Sequence, residues 1–133
     1  MHYFETAILL CGRSLLGFYF IVPGLSKIVN FAGTTTYMEQ HQVPAIALLL
    51  PLTIVLQLSC GLALIVGYRG KFAAIILAGL TLAISIYMHD FWNYAEGMER
   101  AHEMQNFIKN LAIAGGLLVL GALGTGRLSI HNR

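Results

Sequence analysis

Four apolar stretches, each long enough to cross a lipid bilayer, take up most of this 133-residue chain. They cover 4–29, 44–66, 72–88 and 107–123. A spanning helix needs about 20 apolar residues, within a range of roughly 17–25. The pattern therefore predicts an all-α integral membrane four-helix bundle, one domain over 1–133, with helices at about 4–27, 44–67, 71–89 and 105–124.

Composition agrees. Hydrophobic residues make up 57% of the chain and charged residues 11%, against about 45–50% and about 25% in soluble domains. That apolar excess is too large for one small soluble core to hide. The net charge of +2 is too small to imply nucleic acid as a partner. The first stretch is not expected to be a cleaved signal peptide: its flank lacks a short basic start, its apolar run is too long, and no small-x-small site follows.

An even number of spans puts both termini on one side. That side carries Arg69 and Lys71 in a tight turn, with Arg127 and Arg133. The other carries Lys27, Arg100 and Lys109, together with Glu39, Asp90, Glu96, Glu99 and Glu103. Basic residues favour the cytoplasmic side. The count is four against three, so the 68–71 turn decides it: the termini are expected in the cytoplasm of a bacterial inner-membrane protein.

Local signals refine the elements. Pro23-Gly24 predicts a kink in the first helix. Thr36 and Glu39 have capping-box spacing, which predicts a short helix at 37–42. Val43-Pro44 opens the second spanning helix. In 90–103, Phe91, Tyr94, Met98 and Ala101 recur at helical spacing with charges between them, predicting an amphipathic helix on the membrane surface before helix four. Ala74 with Ala78, and Ala112 with Gly116, allow close helix contact inside the bundle or between subunits.

Polar residues inside apolar spans are costly and mark candidate sites. Arg13 lies within the first stretch. It stays charged in any practical range, so it suits an anion or a carbonyl better than a proton. At about 1.5 Å per residue, Arg13 and Gln57 fall at similar depth, and a bond between them is expected. Cys11 and Cys60 also match in depth. They form no CxxC pair, and a buried thiol in lipid is ordinarily an inert small hydrophobe. A second group gathers at the opposite face: Lys27, His89, Asp90, Trp92, Gln105, Asn106, Lys109 and Asn110. Histidine is the residue type that changes charge near neutral pH, whereas Trp92 and Lys27 also suit ordinary membrane-edge trim. Lys109 is expected to pair with Asp90 or reach the headgroups. Asn110 is expected to point inward, bonded to His89 or to a ligand. Glu99 and His102 have Glu-x-x-His spacing, but a di-iron bundle needs two such motifs and two further carboxylates. No metal is assigned.

Several short pieces, in order, carry a resemblance. They are Arg13 with Gly17, Gly24 and Lys27; Val43-Pro44; Gly61; Gly67-Tyr68-Arg69 followed by Ala73-Ala74; and Lys109-Asn110-Leu111-Ala112 with Gly115-Gly116. Along nearly its whole length the chain resembles the DoxX family of small four-helix bacterial membrane proteins. Members of that family often carry Glu where Gln57 stands, His where Pro23 stands and Asp where His131 stands. The missing carboxylate at Gln57 removes an acid role there. The resemblance implies a link either to a thiosulfate:quinone oxidoreductase or to membrane complexes that handle oxidative stress. Distantly similar animal proteins assist receptor assembly.

Three functions compete. The first is a redox-linked membrane subunit, homo-oligomeric or part of a membrane redox complex, that holds a quinone-like ligand by Arg13, Gln57 and Lys109-Asn110. The sequence has no haem, flavin or iron–sulfur signature, so the chain would bind a quinone or receive electrons from a partner. The second is a non-catalytic assembly scaffold that docks through 90–110. The third is a small transporter. No acid lies deep in any span, which speaks against cation export and leaves anion binding open.

Overall fold

The computed structural model describes residues 2–131, so Arg133, counted in the orientation argument, lies outside the described residues. Five helices follow one another: α1 (Tyr3–Val29), α2 (Phe31–Gln40), α3 (Ile46–Val66), α4 (Gly70–Met88) and α5 (Met98–Leu123). Four of these regions, Tyr3–Val29, Ile46–Val66, Gly70–Asn93 and Met98–Leu123, are long and apolar enough to cross a membrane. The turn at 67–69 and the tail at 124–131 lie at one end of the bundle, here the terminal end. Helix α2 and the segment between α4 and α5 lie at the other, the far end.

Antiparallel neighbours α1–α3, α3–α4 and α4–α5 form the packed interfaces. The α1–α3 crossing rests on a glycine pair. A Cβ on Gly17 would sit 2.5 Å from the Gly61 carbonyl oxygen, and one on Gly61 would sit 2.9 Å from that of Gly17. Removing both side chains lets the two backbones touch, the usual route to tight helix contact in lipid. The core is small and aliphatic: Leu50, Leu64, Ala74, Leu77 and Leu117 are fully buried. Large apolar residues such as Phe18, Leu48, Ile86 and Val119 are exposed instead, as a helix bundle solvated by acyl chains requires.

Several local expectations change. Helix α1 runs through Pro23 to Val29, two residues past its expected end at Lys27. Helix α2 begins at Phe31, six residues before the predicted start, and the Thr36–Glu39 box does not form. Thr34, Thr35 and Thr36 each return their hydroxyl to the carbonyl four residues back. A threonine bonded in that way is satisfied mid-helix and has no capping role. Pro44 stays outside α3, which starts after Ala45 in the left-handed region at φ 49°. The surface helix expected over 90–103 is divided. Phe91–Asn93 makes one 3-10 turn, and 98–103 are the first turns of α5, continuous with its spanning part. Gly97 separates the two at φ 146°, a conformation that side chains other than glycine rarely adopt. The small-residue pairs also part company. Ala74 and Ala78 are buried in the bundle, whereas Ala112 and Gly116 are exposed, and nothing lies within 4 Å of a Cβ on Gly116.

The tail folds back against the terminal end. Ile130 N–H donates to Val66 O at 3.1 Å, His131 N–H to Gly67 O at 3.0 Å, and Arg69 N–H to His131 O at 3.1 Å. These bonds satisfy carbonyls that the end of α3 leaves open. Thr125 is 2% exposed.

Candidate functional site

The direction of the helices decides which polar residues meet. A helical side chain leans toward the N-terminus of its own helix. On α1 this points Arg13 and Lys27 toward the terminal end. On α3, which runs the other way, it points Gln57 toward the far end. Arg13 and Gln57 therefore diverge despite their similar depth, and the expected bond between them does not form. Lys27 and Gln57 converge, and Lys27 Nζ donates to Gln57 Oε1 at 3.1 Å.

Arg13 does face the bundle interior, at 3% exposed. Its guanidinium donates to the carbonyl oxygens of Thr125 and Leu128, to Ser129 Oγ at 3.0 Å and to Ile65 O at 3.2 Å. Three of these four acceptors belong to the folded-back tail. Arg13 is thus a clamp between α1, the end of α3 and the tail: its two terminal nitrogens are spent on the protein itself, and its buried Nε is left without a partner.

At the far end, a cavity of about 410 Å³ opens between α1, α2, α3 and α4. Pro23, Ser26 and Lys27 line it from α1, Thr34, Tyr37 and Met38 from α2, and Leu49, Leu50 and Thr53 from α3. Leu80, Ala83, Ile84, Tyr87 and Met88 line it from α4, with Val43 and His89 from the connections. The walls are mainly apolar. The lining contains no Asp or Glu. Lys27 reaches its deep side, because Gln57 lies one turn deeper on α3 than Thr53. A long side chain near a helix end ordinarily snorkels outward to the headgroups; here it turns inward.

Two histidine–carboxylate pairs brace the rim. His41 Nδ1 lies 3.0 Å from Asp90 Oδ1, and His89 Nδ1 lies 2.8 Å from Glu103 Oε2. The first ties the end of α2 to the segment after α4, the second ties α4 to α5. Asn93 Nδ2 donates to the other Asp90 oxygen at 2.9 Å. Asp90 is therefore paired with His41 and Asn93, and the expected Lys109–Asp90 pair does not form. Tyr37 stacks edge-on against His41, with ring centroids 4.6 Å apart. Burial, and then the nearby Glu103, Tyr94 and Asp90, hold its phenol above the ordinary tyrosine range, so the hydroxyl stays a donor.

Asn110 is buried at 5% exposed, as its position one turn inside an apolar span requires. Its partner is the Tyr19 hydroxyl, which donates to Oδ1 at 3.2 Å; the expected contact with His89 is absent because Glu103 takes that imidazole. Lys109 is exposed, donates to Asn106 Oδ1 at 3.5 Å and lies 6.0 Å from the centre of the Tyr19 ring. Trp92 and Phe107 meet edge to face at 5.6 Å, and Trp92 and Gln105 remain exposed at the far end. Of the ten candidate residues, Lys27 and His89 line the cavity and Gln57 holds Lys27 in place. Arg13, Asp90, Trp92, Gln105, Asn106, Lys109 and Asn110 stand outside it.

Sequence reasoning missed His41, Tyr37 and Tyr19. Tyr37 and His41 are four residues apart, which puts both on one helix face, but both lie beyond the apolar spans that draw attention. Tyr19 carries no local signal of its own. Cys11 is exposed and Cys60 buried, and both are free thiols. Among the described residues no three His, Cys, Asp or Glu side chains are grouped to hold a metal.

The sequence profile of the DoxX family matches residues 8–90. The inner membrane protein YqjF of Escherichia coli is 39% identical over 126 residues, covering 95% of this chain and 91% of that protein. The inner membrane protein YphA of the same organism is 29% identical over 129 residues, covering 97% of this chain and 91% of its own length. A shorter similarity, 32% over 81 residues, links 61% of this chain to 26% of the ER-derived vesicles protein ERV29 of Saccharomyces cerevisiae. No solved structure matches. Four bilayer-length helices, the family match over most of their extent and two inner-membrane relatives of nearly the same length place the chain in the DoxX family, as a multi-pass inner-membrane protein.

Proposed function

We propose that this protein is a ligand-binding membrane subunit. It takes an apolar small molecule with an oxygen-bearing head into the far-end cavity and presents it to an oxidoreductase partner. One observation carries this reading: a cavity of about 410 Å³, with mainly apolar walls, has an inward-turned ammonium at its deep side. Small-molecule sites are typically of this kind, about 300–1,000 Å³, apolar, with a few fixed polar groups that orient the ligand. A quinone fits that description. Its ring and tail suit the aliphatic walls, and a carbonyl oxygen can accept a hydrogen bond from Lys27 Nζ. When bound, the quinone supplies the two-electron chemistry; the protein's part is to orient the head and exclude water.

In this reading the termini lie in the cytoplasm, the cavity end faces the periplasm, and the exposed Ala112–Gly116 face of α5 is available to a second copy or another subunit. A photoactivatable alkyl-quinone, added to the protein in nanodiscs, tests the site. Labelling should map to α2 and to the far-end halves of α1, α3 and α4, and unlabelled decylubiquinone should compete. Labelling confined to the terminal end, or spread evenly over lipid-facing residues, would overturn the assignment.

A further inference from the structure

The head group at Lys27 is open to a sharper identification, because its charge environment is one-sided. The ammonium has a neutral partner, the amide oxygen of Gln57. The two histidine–carboxylate contacts, His41–Asp90 and His89–Glu103, do not include Lys27. No carboxylate lines the cavity. The one other basic side chain in the lining, His89, already faces Glu103. A cation held among apolar groups without a counter-charge is costly. An amide dipole offsets part of that cost; a full negative charge offsets far more.

From this we infer that the cavity selects an acidic amphiphile: a single-chain carboxylate whose head pairs with Lys27 Nζ and whose chain lies along Leu49, Leu80 and Ile84. The inference rests on the reading that the cavity binds an amphiphile, and it narrows the head group from any oxygen acceptor to an anion. A single chain is favoured over a phospholipid because the cavity, about 410 Å³ and lined from four helices, is modest in volume. The phenol of Tyr37, kept protonated, adds a second donor in the same lining.

Gln57 supplies a direct test. Gln57→Glu places a carboxylate where Oε1 now stands, 3.1 Å from the ammonium, giving Lys27 an internal counter-ion with almost no change in shape. The measurement is binding of cis-parinaric acid, by its fluorescence, to the purified full-length protein in detergent, beside parinaryl alcohol and decylubiquinone as neutral competitors. The carboxylate should bind about tenfold or more tighter than the alcohol, as loss of a charge-assisted bond implies. That preference should vanish in Gln57→Glu and in Lys27→Met, with the alcohol measured beside the acid in each variant as its neutral reference. Thermal unfolding of each variant shows that the fold is retained. Equal binding of acid and alcohol to the parent protein would overturn the inference and leave the cavity reading standing, and so would a preference for decylubiquinone that survives Gln57→Glu. If none of the three probes binds, the cavity reading itself fails. Native mass spectrometry that finds phosphatidylglycerol retained by the parent and lost in Lys27→Met would replace the carboxylate with a lipid phosphate, and would also overturn the inference.

Discussion

Tyr19 on α1 donates its hydroxyl proton to the buried amide oxygen of Asn110 on α5, joining the first spanning helix to the last across the bundle. A polar group left alone in such surroundings costs about 1–3 kcal/mol. Asn110→Leu strands the Tyr19 hydroxyl and should destabilise the protein by that amount. Tyr19→Phe in the same background removes the stranded group and should recover much of the loss. A double-mutant cycle from unfolding in mixed micelles measures the coupling; additive effects would show that the two side chains do not act as a pair.

The Arg13 clamp predicts a larger effect. Arg13→Met leaves three backbone carbonyls and the Ser129 hydroxyl without their donor, and should cost about 3 kcal/mol or more. Ser129→Ala removes a single acceptor and should cost about 1 kcal/mol. Arg13→Lys keeps the charge but loses the planar fork, so its melting temperature should fall between the two. A melting temperature for Arg13→Met equal to that of the parent protein would remove the clamp from the account.

The glycine crossing makes a steric prediction. Gly17→Ala brings a methyl group to 2.5 Å from the Gly61 carbonyl oxygen, where only backbone movement can relieve it, at a cost of about 1–3 kcal/mol. Gly115→Ala, with nothing within 4 Å of its new Cβ, should be neutral or slightly stabilising, because alanine is the better helix former. Thermal melts of the two variants side by side separate a packing effect from a general intolerance of change.

Tyr37 predicts a response to alkali. Its phenol titrates above the ordinary tyrosine value in the folded protein. A raised value means that the folded state holds the proton where the unfolded chain has begun to release it. Stability is therefore unaffected below the ordinary tyrosine value of about 10 and falls as pH rises beyond it. Tyr37→Phe should flatten that alkaline slope in melts taken between about pH 8 and 11. An unchanged slope would assign the loss to other groups.

The spans were legible because length and apolarity alone fix them: lipid sets how long such a run must be. The inward placement of Arg13 and Asn110 was legible for a related reason, since a polar group is expensive on the lipid face. Pairings were not. Depth counted along the chain matched Arg13 to Gln57, but depth says nothing of the direction in which a side chain leans. The opposite course of α1 and α3 separates those two and brings Lys27 to Gln57 instead. The His41–Asp90 pair spans 49 residues of sequence and depends on where α2 comes to rest, which no local pattern encodes. The 90–103 segment misled because helical spacing of apolar residues also describes the first turns of a longer helix, and only Gly97 marks where that helix begins.

The folded-back tail sets an order of events during biosynthesis. Arg13 enters the bilayer with α1, whereas its acceptors at 125–129 follow α5 in the chain. Until those residues have been made, a charged guanidinium in α1 lacks most of the partners that compensate its burial. Closing the terminal end of the bundle therefore waits until all four spans have been made.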